Sequence, residues 1–517
     1  MLRITELRLP LDHSPEALRA AILARAGIED ARLRGFRIAR RSHDARKKHA
    51  IQLVYTIDAE IEGGAPLPAT PDTRWRPPVT SAPPGTPRPI VIGTGPCGIF
   101  AALALSQMGL PPLILDRGKP VRERTKDTWA LWRRGILTPE SNVQFGEGGA
   151  GTFSDGKLYS QIKDRLHQGR KVLEDFVDAG APEEILWLAK PHIGTFRLVQ
   201  VVESLRSRIE AMGGEYRWQS RVARLTLGPD RAVTGVELAN GEVIAGRHVV
   251  LAIGHSARDT FAALHDQGVA MEAKPLSIGV RIEHPQGLID RARFGPAAGN
   301  PTLGAADYKL VHHAANGRGV YSFCMCPGGT VVAAASEPGR LVTNGMSQYS
   351  RAERNANAAL VVSLSPADFP EPSALGGVAF QRHWEERAFI AGGSDYRAPA
   401  QTVGDFLAGR ASTSLGSVVP SYKPGVTPAN LADCLPDYAV AALREALPAF
   451  GRQIAGFDAV EAVMTGVETR TSSPLRIGRG AEFVSLNTPG LYPAGEGAGY
   501  AGGILSAAVD GMLFRPI

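Results

Sequence analysis

Gly93, Gly95 and Gly98 stand in the run Gly-Thr-Gly-Pro-Cys-Gly, and Asp116 closes the next apolar run downstream of them. Glycines at that spacing let a backbone turn sharply, approach a phosphate closely and bring a helix against a strand. A carboxylate about 20 residues further on can hold a sugar hydroxyl. The helix opened by such a turn offers unpaired N–H groups and partial positive charge, worth about 0.3–2 kcal/mol to an anion. The chemistry indicated is the binding of a nucleotide pyrophosphate. The same spelling recurs at 146–151 and 497–502. Neither copy is followed in turn by a helix, a strand and an acid, so neither marks a second nucleotide fold. Gly149, in the first of these copies, belongs to a glycine-rich run, 142–158, suited to lying against a flat or phosphorylated ligand.

Fewer groups could move protons or electrons. His255 closes an apolar run ending in Gly254, where it is either a site residue or a capping or core histidine. Cys324 and Cys326 form a C-x-C pair whose members share one face of a strand, too far apart for an easy disulfide. They are packed core residues, redox or nucleophilic groups, or metal ligands; nothing nearby completes a zinc set, and no metal site is expected. Cys97 stands at a helix N-terminus, a place where small packing residues are usual. Glu468 and Arg470 lie in the run GVETRTSSP. Arg470 reads equally as an anion anchor or as half of a structural ion pair, and Lys157 is similar.

The elements that must position these groups follow from periodicity. Residues 90–92 and 113–115 read as buried parallel strands, with a helix from 99 to about 108 and a glycine stop at Gly109. The stretch 89–115 carries no charge and is long enough to span a bilayer, but Pro111, Pro112 and the glycine loop argue against that. An amphipathic helix is expected over 195–212 and a strand over 215–219. An antiparallel meander should follow over 222–227, 233–238 and 242–245, its last turn at Asn240-Gly241, and then a strand over 248–253. Residues 276–465 are mixed, with strand-like pieces at 277–283, 320–324 and 330–335. The stretch 490–512 reads as a strand, a glycine turn and a helix beginning near Gly503.

The N-terminal stretch 1–62 reads as a βαββ module: strand 3–9, a helix capped by Ser14 and ended by Gly27, and strands 31–40 and 50–61. Arg37, Arg40, Arg41, Arg46, Lys47 and Lys48 cluster toward its last hairpin. They form either a solvated edge or a patch for RNA or another anionic partner, although no aromatic interleaves them. Residues 63–88 form a proline-rich linker. The expected organisation is therefore 1–62, linker 63–88, a nucleotide-binding part 89–275, an inserted region 276–465 and a closing nucleotide-binding part 466–517.

With 517 residues, 44% of them hydrophobic, the chain can build several cores. A net charge of +6 does not by itself call for nucleic acid, and four cysteines do not make a disulfide scaffold. The N-terminal residues lack an apolar signal core, so a cytoplasmic protein with no membrane partner is expected.

The runs ARKKHAIQLVYTIDAE, IGTGPCG, FGEGGAGTFSDGKL, AIGHSARDTF, SIGVRIEHP, GVYSFCMCPGG, NGMSQYSRAERNAN, GVETRTSSP and LYPAGEGAGYAGGI resemble, in this order, a bacterial family of FAD-dependent oxidoreductases of unassigned substrate. The flavin domain is similar to that of the glutathione-reductase superfamily. The resemblance implies an α/β fold: a Rossmann-like FAD-binding domain, an inserted mixed α+β substrate domain and a small ferredoxin-like βαββ domain. It implies FAD, with Gly93, Gly95, Pro96, Cys97 and Gly98 around the pyrophosphate. Asp116 would hold the adenosine ribose, where most such flavoproteins carry Glu, and Val222 would touch adenine through its backbone. Gly495-Glu496 resembles the superfamily's Gly-Asp pair, and Ala501, Gly502, Gly503 and Ile504 would face the flavin ring. Arg117 and Arg124 would reach phosphate, and Gly149 and Gly254 would line the cofactor. The implied activity is hydride transfer between a small-molecule substrate and flavin N5, with NAD(P)H as a possible transient donor. A flavoenzyme acting on RNA bases through the basic N-terminal module, and a non-catalytic FAD-binding scaffold, are the competing readings. Oligomeric state is left open.

Overall fold

The computed structural model describes residues 1–77 and 85–513. The linker expected at 63–88 lies outside the described residues at 78–84. Five short strands form a parallel sheet in the order Leu491–Pro493, Val249–Leu251, Ile90–Ile92, Leu113–Leu115, Glu215–Arg217. A parallel sheet must be covered on both faces, so its inner strands are apolar, while the edge strand Glu215–Arg217 is polar and half-buried. The first four are fully buried, and alternate residues enter two different cores. Val91, Ile114, Val250 and Tyr492 pack under the helices Pro96–Gln107, Thr195–Ala211 and Ile504–Gly511. Ile90, Ile92, Leu113, Leu115, Val249, Leu251 and Leu491 pack under the three-stranded meander and the helix Arg258–Asp266.

Register decides what this sheet can do. Val249 lies opposite both Ile90 and Leu491, so three neighbouring strands end level with one another. The turns that leave them at 93, 252 and 494 therefore emerge side by side, where ligands bind in open α/β sheets.

An eight-stranded, mainly antiparallel sheet occupies much of 276–468, with Leu276–Pro285 at its centre between Asn355–Leu364 and Val463–Glu468. Two expectations change here. The strand pieces at 320–324 and 330–335 are one strand, Gly319–Ala333, bent by irregularities between Phe323 and Cys326 and between Cys326 and Gly329. Pro327-Gly328-Gly329 lies inside this strand, where the chain absorbs it as a bend within pairing. The expected boundary at 465/466 falls inside Val463–Glu468, so the sheet carries on to residue 468.

The N-terminal module is a three-stranded sheet, Leu2–Pro10, Gln52–Ile61 and Leu33–Asp44, with Gln52–Ile61 in the middle and the helix Pro15–Ala26 packed on it. Ser14 caps that helix through Ala17 N, and Gly27 ends it in the left-handed conformation. Among the described residues no helix is long and apolar enough to cross a membrane.

Candidate cofactor and substrate site

The first glycine turn is fixed by sterics. A Cβ on Gly98 would lie 1.9 Å from Gly93 O, and one on Gly93 would lie 2.4 Å from Ala252 O. Both positions exclude any side chain. Gly95 heads the helix Pro96–Gln107 with no side-chain cap. The loop at 146–151 lies directly against this turn: Gly148 N donates to Thr94 O at 2.8 Å, and a Cβ on Gly149 would meet Gly95 Cα at 2.8 Å. The last turn arrives from the other side. A Cβ on Gly495 would lie 2.8 Å from Cys97 Cβ, and one on Gly497 would lie 2.5 Å from Gly254 O. The three turns are thus in contact, although most of the chain separates the first from the last in sequence.

Around them the edge is open. A Cβ at Gly254, Gly502 or Gly503 would meet no atom within 4 Å, and Gly503 heads the helix Ile504–Gly511 without a side-chain cap. Ala501 is half-buried and Ile504 buried beside it. Glu496 is partly accessible, and its carboxylate forms no hydrogen bond or ion pair with the described residues. Burial pushes that carboxyl up to about 7, with Lys274 pulling it back. Cys97 is buried beneath this edge, and burial, then Asp510, push its thiol well up. It is a packing residue under the turn.

Asp116 sits at the mouth of Leu113–Leu115, 5% exposed. Its Oδ2 accepts from Thr94 N at 2.9 Å and from the Thr94 hydroxyl, and its Oδ1 accepts from Gly118 N at 2.7 Å. An ionised carboxylate has about four acceptor sites, so Asp116 retains capacity for a further donor. Ser220 N donates to Asp116 O at 2.8 Å, which brings Val222, at the start of Val222–Leu227, to the same edge.

The two arginines expected to reach phosphate do other work. Arg124 is fully buried and donates to the carbonyls of Asn142, Val143, Glu147 and Gly149 at 2.5–2.8 Å. It is a clamp that shapes the glycine-rich loop. Arg117 is held bidentately by both Glu140 and Asp259, with its guanidinium carbon 4.2 Å from the Phe145 ring centroid. Glu147 was not foreseen. Its Oε2 accepts from Val121 N at 2.7 Å at the start of the helix Val121–Arg134, and its Oε1 is buried without a partner.

The proton- and electron-handling candidates fall into two separate clusters. In the first, Lys157 Nζ donates to Met325 O and lies 3.5 Å from Asp155, which Arg351 holds bidentately. Burial lowers the Lys157 ammonium, and the Asp155 carboxylate 3.5 Å away opposes that. Cys326 donates to Cys324 O at 3.3 Å. Cys324 is solvent-accessible, with φ 41°, a left-handed conformation uncommon outside glycine. Arg281 joins Cys324 O, Cys326 and Asn357 to Glu468, which lies 3.6 Å from its Nη1. Glu468 is 3% exposed, and burial pushes its carboxyl up to about 7 against the pull of Arg281. Burial likewise pushes the Cys326 thiol up, so it is not held as a thiolate.

In the second cluster, Arg470 donates to both oxygens of Glu385 at 3.0 Å, and Arg258 grips the same carboxylate at 2.6 and 2.8 Å. Of the two readings of Arg470, the structure shows the ion pair. Its Nη1 donates to Ser256 at 3.0 Å and Ser336 at 2.6 Å, which joins it to His255 through Ser256.

The basic patch is partly engaged. Arg37, Arg40 and Arg41 lie within the strand Leu33–Asp44, not in its hairpin loop. Arg37 pairs with Asp58 and Arg46 with Asp44. Arg41 N donates to Trp187 O at 2.7 Å, Ala189 N donates back to Arg41 O, and the guanidinium carbon lies 4.5 Å from the Trp187 ring centroid. Arg41 therefore docks the N-terminal module onto the body. Arg40, Lys47 and Lys48 form no ion pair among the described residues. No group of three or more His, Cys, Asp or Glu side chains among the described residues could hold a metal ion.

Comparison with known proteins bears on the ligand. The family described as "FAD-dependent protein, C-terminal domain-like" matches residues 275–471. A domain of unknown function matches residues 1–60. An uncharacterized protein of Clostridium beijerinckii is 46% identical over 521 aligned residues, which span 99% of this chain and 97% of that protein. The chain belongs to this flavoprotein family. Solved structures are more distant from the flavoprotein. CtdE in complex with FAD is 10% identical, with 82% of each chain covered and a TM-score of 0.30. The tetrameric form of 2-methyl-3-hydroxypyridine-5-carboxylic acid oxygenase is 12% identical, with 83% of this chain and 80% of that chain covered and a TM-score of 0.32. Likenesses that weak decide nothing about the ligand. The flavoprotein's own geometry fits FAD: it has a side-chain-free cradle, two uncapped helix N-termini at one edge, and an unpartnered carboxylate at Glu496.

Proposed function

We propose that this flavoprotein is an oxidoreductase that binds FAD along the level ends of its parallel sheet and transfers a hydride between a small-molecule substrate and the flavin. The observation that supports it is the contact of the turns that leave three adjacent parallel strands at 93, 252 and 494, with open space at Gly254, Gly502 and Gly503. On a Rossmann-like reading, Gly93, Gly95 and Gly98 with the N–H groups around Pro96 would take the pyrophosphate. Asp116 would hold ribose hydroxyls with its remaining lone pairs. Glu496 would meet a hydroxyl between pyrophosphate and ring, and the helix start at Ile504 would face the ring. When bound, FAD supplies a ring that accepts or donates a hydride.

The chain's own contribution is to bind, orient and move protons. Lys157, beside accessible Cys324, is a cation able to hold a substrate oxygen. Glu468, poised to gain or lose a proton near neutrality, is the proton reservoir of that cluster. NAD(P)H as transient electron donor is part of the proposal. RNA is not, because half of the basic patch is engaged within the protein.

The test is to purify the protein, release and identify its flavin, and record anaerobic bleaching by NADH and NADPH against a panel of small-molecule acceptors. Yellow protein that is bleached and then turns over an acceptor is the expected result. A folded, colourless protein that does not take up FAD overturns the proposal.

A further inference from the structure

The hydrogen bonds around Ser256 determine where the proton of His255 lies. Ser256 Oγ has three partners: Arg470 Nη1 at 3.0 Å, Gln144 Oε1 at 3.2 Å and His255 Nδ1 at 3.0 Å. An arginine only donates, so the hydroxyl oxygen accepts from Arg470. Gln144 is oriented by its other contact, since its Nε2 donates to Ala334 O at 3.2 Å. Its Oε1 therefore faces Ser256 and can only accept. A serine has a single hydroxyl hydrogen, and satisfying Gln144 uses it. The remaining contact is a hydrogen bond only if His255 Nδ1 carries the proton and donates to Ser256. Burial, then the Arg470 and Arg258 guanidinium groups, push the ring down to about 3, so it carries one proton and not two.

Nε2 is then a bare acceptor. It has no hydrogen bond among the described residues, and His255 is only partly buried. His255 follows Gly254, whose carbonyl lies against Gly497, next to Glu496, on the open edge. We infer that Arg470 and Ser256 are positioning residues that lock His255 as its Nδ1–H tautomer, and that Nε2 accepts a hydrogen bond from a hydroxyl of bound FAD. The ligand half of this inference rests on the FAD reading above; the tautomer half does not.

Two measurements separate the halves. Nitrogen chemical shifts of ¹⁵N-histidine-labelled protein near pH 7, with His255 assigned by its loss in His255→Gln, should show a protonated Nδ1 and an unprotonated Nε2. Ser256→Ala should relax this to a mixture of tautomers, and Ser256→Thr should restore it. A wild-type Nε2–H tautomer, or an unchanged pattern in Ser256→Ala, overturns the lock. FAD affinity is then compared in His255→Gln, which keeps an acceptor near the Nε2 position, and His255→Phe, which does not. Losing one net hydrogen bond should weaken FAD binding by about three- to tenfold in the phenylalanine variant and little in the glutamine variant. Equal affinity in both, with tight binding to the wild type, overturns the contact to FAD. Failure of the wild type to bind FAD overturns that contact together with the FAD reading, while the tautomer result stands on the shifts alone.

Discussion

Thr94 gives two hydrogen bonds to one oxygen of Asp116, from its backbone N–H at 2.9 Å and from its hydroxyl. The residue inside the first glycine turn is thereby tied to the acid at the end of the next strand. Thr94 is 1% exposed and Asp116 5%, so these bonds form away from water. Hydrogen bonds to a charged group contribute about 1.5–3 kcal/mol each. Thr94→Val keeps the N–H and shape but removes the hydroxyl. It should lower stability by about 1–3 kcal/mol in urea titration while retaining flavin. Asp116→Ala removes the acceptor of all three bonds and, on the proposed function, the ribose ligand. It should lose flavin as well as stability. Full flavin occupancy in Asp116→Ala would remove the ribose assignment.

The nucleotide turn was legible in sequence because its constraints are local: each glycine answers to an atom close by in the turn or on the adjacent strand. Arg124 was misread for the opposite reason. A cation shortly after an acid suggests phosphate, whereas its partners are four backbone carbonyls of the loop beyond its own helix, invisible in residue types. Arg281 went unnoticed although it interrupts the apolar run 276–282; that interruption was the available signal. Its cluster depends on register, with Arg281 opposite Thr465 and Glu468 opposite Gly279, and on the bend that carries Cys324 and Cys326. Glu385 and Gln381 lie on a helix whose burial depends on long-range packing, so Arg470 could be read only as one of two alternatives.

Arg124→Met keeps much of the volume but leaves four carbonyls without their donor. Removing one partner from a buried charged network costs about 3–5 kcal/mol. The variant should be strongly destabilised, and residues 142–149 should become the first site of cleavage in limited proteolysis. Arg124→Lys, with three donors in place of five, should recover only part of the loss. A methionine variant as stable as wild type would show that the clamp contributes nothing.

Glu385 lies between Arg258 and Arg470 with no solvent exposure. Burial raises its pKa, but the two arginines outweigh it and hold the carboxyl well below the usual range. A depressed folded-state pKa means stability that is fully present above the unfolded value, near 4.3, and lost as pH falls through the folded value. Glu385→Gln leaves two buried guanidinium groups without their anion and should cost about 3–5 kcal/mol at neutral pH. The difference between variant and wild type should shrink only below about pH 4. A difference already gone at pH 5 would contradict the ion-pair account.

Glu468 makes the opposite linkage. Its carboxyl is pushed up to about 7 from 4.5 because burial outweighs the pull of Arg281, 3.6 Å away. Between those values the folded protein holds a proton that the unfolded chain has released, so stability falls as pH rises across this window and levels off above it. Glutamine resembles the protonated acid in shape and cannot ionise. Glu468→Gln should therefore match wild type near pH 4, lose the decline between about pH 4.5 and 7, and be more stable by about 1–3 kcal/mol at pH 8. Glu147 and Glu496 are also pushed up to about 7, so the variant's curve should be flatter than wild type without becoming level. If Arg281 instead depends on an ionised Glu468, the substitution strands a buried cation and the variant will be less stable at every pH above 5. Denaturant titration of both proteins from pH 4 to 8 separates the two, because burial and ion pairing predict differences of opposite sign at the alkaline end.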